Sequence, residues 1–192
     1  MKIEKIVVIG GSGFVGREVC RLGRALGHEM LSISPDGRPA LDEPWVEGVG
    51  WVIGEAAGFE SWQQWLEGCY SVVVCEEAEL EGQLVALLGA AAERAGARKF
   101  VLVSRANAAA TLAQAAEVES DLLARAFTTT ILRPAAIFGE GHPLDVLGQE
   151  LTRALPVERV AMAALRAALE EAMQGILDND AIDDYGDAMM IQ

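Results

Sequence analysis

Ile6-Val7-Val8-Ile9 runs straight into Gly10-Gly11-Ser12-Gly13, and Phe14-Val15-Gly16-Arg17 follow at once. Four consecutive apolar residues at strand length predict a strand covered on both faces, because a half-exposed strand would alternate apolar with polar residues. The pattern from Phe14 to Leu26 predicts an amphipathic helix. A buried strand that turns through glycines directly into a helix places helix N-terminal N–H groups beside bare backbone, a geometry suited to a pyrophosphate. On this reading Gly10 makes the tight turn, Gly13 lets the backbone approach an anion, and Gly16 lets the helix lie close to the strand. Ser12, Phe14 and Val15 belong to the same turn. The alternative, a glycine turn that ends a strand for structural reasons alone, stays open at this level.

The rest of the chain repeats the theme. Apolar runs of strand length lie at Ile3–Ile9, Met30–Ile33, Trp51–Ile53, Ser71–Cys75, Phe100–Val103 and Thr129–Leu132, with helical patterns at Phe14–Leu26, Glu81–Ala95 and Leu112–Ala126 between them. Repeated βαβ order predicts a doubly wound α/β fold, a parallel sheet with helices on both faces in three layers. At 192 residues and 52% hydrophobic composition the chain can bury one sizeable core, so 1–192 is expected to be a single domain. After Pro134 the regularity weakens, and 143–192 is expected to be a reduced C-terminal helical and tail region. Its first part, 143–174, predicts one or two helices divided near Pro156, and the Asp-rich stretch from Leu177 to Gln192 predicts a loosely attached tail. Trp62 and Trp65 are expected to pack against the sheet.

Charge and cysteine usage narrow the function classes. A formal net charge of -14 repels phosphate backbones and anionic headgroups, so nucleic acid and membrane surfaces are not the expected partners. No run approaches the roughly 18–20 apolar residues of a membrane span, and the Met-Lys-Ile-Glu-Lys start leads into a strand; the expected location is cytoplasmic. Cys20, Cys69 and Cys75 lack metal-site or disulfide spacing and are expected as reduced core residues, with no metal bound.

With these residues in view, the chain resembles the atypical and extended short-chain dehydrogenase/reductase families, the NAD-dependent epimerase/dehydratase-like group with a Rossmann fold. Gly10-Gly11-Ser12-Gly13-Phe14-Val15-Gly16 reproduces their N-terminal fingerprint. Trp51-Val52-Ile53-Gly54-Glu55, Phe100-Val101-Leu102-Val103-Ser104, and Ile131-Leu132-Arg133-Pro134 with Ile137-Phe138-Gly139 match later strands. The resemblance implies a nicotinamide dinucleotide as the small-molecule partner. It also implies a homodimer through the alanine-rich Leu112–Ala126 helix.

An acidic residue at the end of the second strand would bind the ribose hydroxyls of NAD and repel a 2′-phosphate. Ser34 stands there instead, with Arg38 four residues on and Arg17 opening the first helix, so NADP is the expected cofactor and NAD the alternative. Asp36 is the acid that would reverse this choice. The resemblance places Glu55 near the adenine and Cys75 at the end of the fourth strand beside the cofactor. Glu76 and Glu77, which follow Cys75, argue against a pyrophosphate unless they point away.

Active members of the group pair a tyrosine with a lysine four residues later, the lysine lowering the phenol's pKa. Here the tyrosines are Tyr70 and Tyr185, the last lysine is Lys99, and 110–117 carries Thr111, Gln114 and Glu117 among alanines and leucine. Ser104 and His142 are the remaining catalytic candidates. Three readings follow: a dinucleotide-binding sensor, regulator or assembly protein; a small NADPH-dependent oxidoreductase of quinones, flavins or carbonyls; and a nucleotide-free interaction scaffold.

Overall fold

The computed structural model describes residues 2–54, 58–75, 82–104, 112–140 and 153–187. The expected order is observed: β1 (Lys5–Ile9), α1 (Phe14–Ala25), β2 (Glu29–Ser34), α2 (Pro44–Glu47), β3 (Val49–Ile53), α3 (Phe59–Trp62) with a 3-10 turn (Gln63–Leu66), and β4 (Ser71–Val74). α4 (Gly82–Arg94), β5 (Lys99–Val103), α5 (Leu112–Leu123), β6 (Thr128–Leu132) and β7 (Ala136–Phe138) follow. The C-terminal part holds β8 (Ala154–Pro156), α6 (Val157–Leu169), β9 (Gly175–Leu177) and α7 (Asn179–Asp187).

Seven strands form one parallel sheet in the order β3-β2-β1-β4-β5-β6-β9, and β7 pairs with β8 separately. The chain winds outward from β1 through β2 to β3, then restarts at β4 on the other side of β1. The switch between β1 and β4 opens a crevice at the carboxyl edge of the sheet, where such folds take ligands.

Strand alternation builds two cores. Ile6 and Val8 of β1, with Val73 and Val101, face Val15 and Val19 of α1 and Val160, Ala164 and Ala168 of α6. Val7 and Ile9, with Val72, Val74, Phe100 and Leu102, face Leu66, Leu88 of α4 and Leu122 of α5. Both faces of β1 are therefore covered, which is why its sequence shows no polar alternation.

Two expectations are corrected. The Asp-rich stretch is not a loose tail as far as Asp187: β9 extends the sheet beside β6, and α7 packs on α6 through fully buried Ile182. Three of its acids pair with arginines on the body of the protein. Arg159 bridges Asp183 and Asp187, Arg153 bridges Asp180, and Asp178 accepts the Ala181 N–H at the start of α7. Of the two tryptophans, Trp62 is buried at 1% exposure whereas Trp65 stays 43% exposed and lends its carbonyl to Lys5. α6 begins at Val157 immediately after Pro156, but the described segment before it, Ala154–Pro156, is the short strand β8 rather than a helix, and 143–152 lie outside the described residues. The cysteines are free thiols in the core, as expected.

Candidate functional site

The glycine turn lies at the carboxyl end of β1, within the switch-point crevice. Gly10 has φ +80°, a conformation that L side chains avoid, and its carbonyl accepts the Gly13 N–H at 3.0 Å to close the turn. A Cβ on Gly16 would overlap the Gly10 carbonyl oxygen and approach the Gly11 Cα to 2.7 Å, so only glycine allows α1 to lie this close to the turn. Gly13 is the N-cap of α1, in extended conformation, and supplies no capping side chain; the first turn contains no acid. A helix whose N-cap is glycine and whose first turn carries no carboxylate presents its positive dipole end to an anion. These residues fit the pyrophosphate of a dinucleotide.

Ser12 and Ser34 meet directly. The Ser12 N–H donates to Ser34 Oγ at 3.1 Å, and Ser32 Oγ lies 3.1 Å from Ser34 Oγ. Both β2 hydroxyls are buried, and Gly11 sits against them: a Cβ there would come within 2.8 Å of Ser32 Cβ. The end of β2 thus braces the turn from below. Ser32 was not legible as part of the site; serine in a strand carries no signal of where its hydroxyl points.

Phe14 and Val15 are buried at 4% and 6%. Phe14 packs toward Gly139 and Val157, where a Cβ on Gly139 would stand 2.7 Å from Val157 Cγ1 and 3.2 Å from the Phe14 ring. They set the position of α1 through packing rather than by presenting polar groups. Arg17 turns along the same side: its guanidinium lies 5.7 Å from the Phe14 ring centroid and donates to the Glu140 carbonyl at 2.9 Å. It is directed to the loop after β7.

Cys75 follows β4, its N–H bonded to the Ile9 carbonyl at 2.9 Å, so it is adjacent to the turn. Burial pushes its thiol up to about 12, which keeps it protonated and inert as a nucleophile. Ser104 follows β5 directly at the same edge and is held by its N–H to Leu132 O at 2.8 Å. Arg38 is exposed and forms an ion pair with Glu47 at 2.5 Å, holding that carboxyl below its ordinary range. The Glu47 partner was missed from sequence. Glu55, Glu76, Glu77 and His142 lie outside the described residues, as does Thr111.

The other proton-transfer groups stand elsewhere. Lys5 and Lys99 are the first residues of β1 and β5, and Lys2 precedes β1, all at the amino edge of the sheet. Lys99 is buried and donates to the carbonyls of Glu170 and, at 3.1 Å, Met173 beyond the end of α6; desolvation lowers its pKa. Tyr70 precedes β4 at the same edge, and Tyr185 on α7 has its ring 5.4 Å from the Arg166 guanidinium.

Two further features frame the carboxyl edge. Buried Glu119 on α5 pairs with Arg133 directly after β6. Asn179 accepts the Ala135 N–H at 2.9 Å and donates to Arg153 O at 3.0 Å, tying the β6–β7 connection to the segment before β8. A cavity of about 290 Å³ between the N-terminal halves of α1 and α6 is walled by Trp45, by Arg17, and by Glu18, Glu43, Glu140 and Glu158. Four carboxylates against one guanidinium suit it poorly to an anionic cofactor. Among the described residues no helix is long and apolar enough to cross a membrane.

No protein-family model matches the chain. An uncharacterized chloroplastic protein of Arabidopsis thaliana is 30% identical over 178 residues, covering 80% of this chain and 59% of the relative. Component 2 of the MIOREX complex of Saccharomyces cerevisiae is 28% identical over 76 residues, 37% of this chain and 27% of that protein. The chain thus spans less than two thirds of the length of either relative. Among solved structures, the Bordetella bronchiseptica enzyme WbmH in complex with NAD+ superposes with TM-score 0.69 at 16% identity, over 92% of this chain and 75% of that one. UDP-N-acetylglucosamine 4-epimerase from Bacillus cereus gives 0.69 at 13% identity over 94% and 81%. UDP-glucose 4-epimerase from Brucella ovis in complex with NAD gives 0.68 at 12% identity over 91% and 77%. At such identities the likeness is one of fold.

Proposed function

We propose, from the premise that this chain carries the Rossmann fold of the NAD-dependent epimerase/dehydratase-like short-chain dehydrogenase/reductases, that it binds a nicotinamide dinucleotide, NADP(H) ahead of NAD(H). The observation that carries the proposal is the glycine turn itself: Gly16 packs an α1 with no acid in its first turn onto Gly10, and Ser34 braces that turn from β2. Such an arrangement would take the pyrophosphate at Gly13 and the first turn of α1. The structural neighbours WbmH and Brucella ovis UDP-glucose 4-epimerase were solved with NAD bound, which supports dinucleotide binding, while the choice of NADP(H) rests on Ser34 and Arg38 alone.

The bound dinucleotide would supply a hydride donor or acceptor. What the chain's own residues would add is binding and orientation, since a phenol–ammonium relay needs a tyrosine and a lysine at the carboxyl edge. Lys2, Lys5, Lys99 and Tyr70 lie at the amino edge, and Tyr185 of α7 lies against Arg166 of α6. This placement favours a protein that reports or responds to the dinucleotide, in a regulatory or assembly role, over one that turns over a carbonyl. Self-association through α5, where Leu123 is 46% exposed and Leu87 of neighbouring α4 53% exposed, belongs to the same proposal.

A second reading, reduction of a quinone or flavin with protonation from solvent, draws on the position of Ser104 at the open edge. Following nicotinamide absorbance of NADPH with a panel of quinone, flavin and carbonyl acceptors separates the two. Tight binding without turnover is expected; sustained turnover with any acceptor would replace the regulatory reading by the enzymatic one.

A further inference from the structure

Arg38 in the loop after β2 and Glu47 at the end of α2 bear on which dinucleotide the site takes. Ser34, at the end of β2, has its hydroxyl engaged by the Ser12 N–H and by Ser32, and is buried at 1% exposure, so it is not free to read a ribose. Arg38 is the cationic side chain of this loop, and its Nη2 meets Glu47 Oε1 at 2.5 Å. Gly37 abuts Ile53, the last residue of β3, at the carboxyl edge: a Cβ there would lie 2.8 Å from Ile53 Cγ1. Glu47 stands two residues before β3 begins, at the amino edge. The Arg38–Glu47 bridge therefore runs along edge strand β3 and draws the guanidinium away from the crevice. Asp42 adds a second negative charge near it.

Resting on the NADP(H) reading above, we propose that Glu47 is a positioning residue that sets cofactor preference: it competes with the 2′-phosphate of NADP(H) for the Arg38 guanidinium. The side chains of Arg38 and Glu47 are 49% and 73% exposed, and an ion pair this open to water is weak and exchangeable. A 2′-phosphate carries more charge than a carboxylate and offers three acceptor oxygens to the planar guanidinium fork, so it can displace Glu47. The 2′-hydroxyl of NAD(H) cannot, and Arg38 then stays on Glu47. On displacement the carboxylate returns to water without being buried.

Calorimetric titration with NADPH and NADH, on the full chain and on Glu47→Gln, Arg38→Ala and the double variant at low ionic strength, tests this. Glu47→Gln is expected to tighten NADPH about two- to fivefold and to leave NADH unchanged. Arg38→Ala is expected to weaken NADPH about tenfold, again without effect on NADH. In the Arg38→Ala background the Glu47 substitution is expected to do nothing. An NADPH/NADH affinity ratio that Glu47→Gln leaves unchanged overturns the proposal while sparing the dinucleotide reading. So does tighter binding of NADH that Asp36→Asn weakens, since Asp36 would then be the ribose reader. Binding of neither dinucleotide to the unmodified chain overturns both.

Discussion

Ser34 Oγ accepts the backbone N–H of Ser12 at 3.1 Å, so the last side chain of β2 holds the middle of the glycine turn that follows β1. The contact joins two strands' carboxyl ends at the switch point and fixes the turn before any ligand arrives. Removing the hydroxyl in Ser34→Ala leaves an N–H with no acceptor and is expected to cost about 1–2 kcal/mol of stability. Ser34→Asp retains an acceptor for Ser12 while adding a charge that repels a 2′-phosphate, and is expected to bind NADH in preference to NADPH. Denaturant melts and titrations of both variants check this; an Ala variant as stable as the parent would remove the brace from the account.

Gly16 leaves no room for a side chain. A Cβ there overlaps the carbonyl oxygen of Gly10 and lies 2.8 Å from its carbonyl carbon, and backbone cannot rotate away as a side chain can. Gly16→Ala is expected to cost about 3 kcal/mol and lower the melting temperature by about 6–12 °C. Scanning calorimetry of the variant is the check, and a melting temperature unchanged from the parent would mean that α1 can shift outward freely.

The local part of this arrangement was legible in the sequence because it is contiguous: strand, turn and helix occupy Ile6 to Arg17, and each residue's role depends on its neighbours. Ser34 was placed at the right strand end, but the direction of its hydroxyl depends on Ser12, 22 residues earlier in the chain. Glu47 carried no signal, since its meaning comes from Arg38 across a loop. The region from Leu177 to Asp187 misled because a run of aspartates resembles a solvated tail until Arg159 is seen beneath Asp183 and Asp187. Trp62 and Trp65, three residues apart, have opposite exposures because the helix gives way to a 3-10 turn between them.

His28 makes stability depend on pH. It is buried at the amino edge, its Nδ1 accepting the Glu4 N–H at 3.3 Å while Arg24 donates to its carbonyl at 3.0 Å. Desolvation lowers its pKa, outweighing the opposing pull of Glu4. The unfolded chain, with histidine near pH 6.5, then binds a proton that the folded chain refuses. Stability is therefore expected to fall as pH drops below about 6.5 and to go on falling until the folded pKa is reached. His28→Gln should flatten that decline between pH 7 and 5; equal slopes for variant and parent would show that His28 does not contribute.

Lys99 closes the C-terminal end of α6. Its ammonium is buried and bonded to the carbonyls of Glu170 and Met173, the latter also receiving Thr130 Oγ1 at 2.9 Å. Lys99→Met preserves the aliphatic stem but removes two charge-assisted bonds, and is expected to cost about 1.5–3 kcal/mol. Chemical denaturation reads this directly, and dinucleotide affinity in the variant is expected to be unchanged, because Lys99 lies at the edge opposite the glycine turn.

The central claim is that the turn from Gly10 to Gly16 holds a dinucleotide pyrophosphate. Its most direct test is calorimetric titration of the chain with NADPH, alongside a Gly13→Asp variant that places a carboxylate at the N-cap of α1. The account predicts saturable binding to the parent, abolished in a variant that still folds. No heat and no thermal shift in the parent with either NADPH or NADH, or equal binding in the variant, would contradict it.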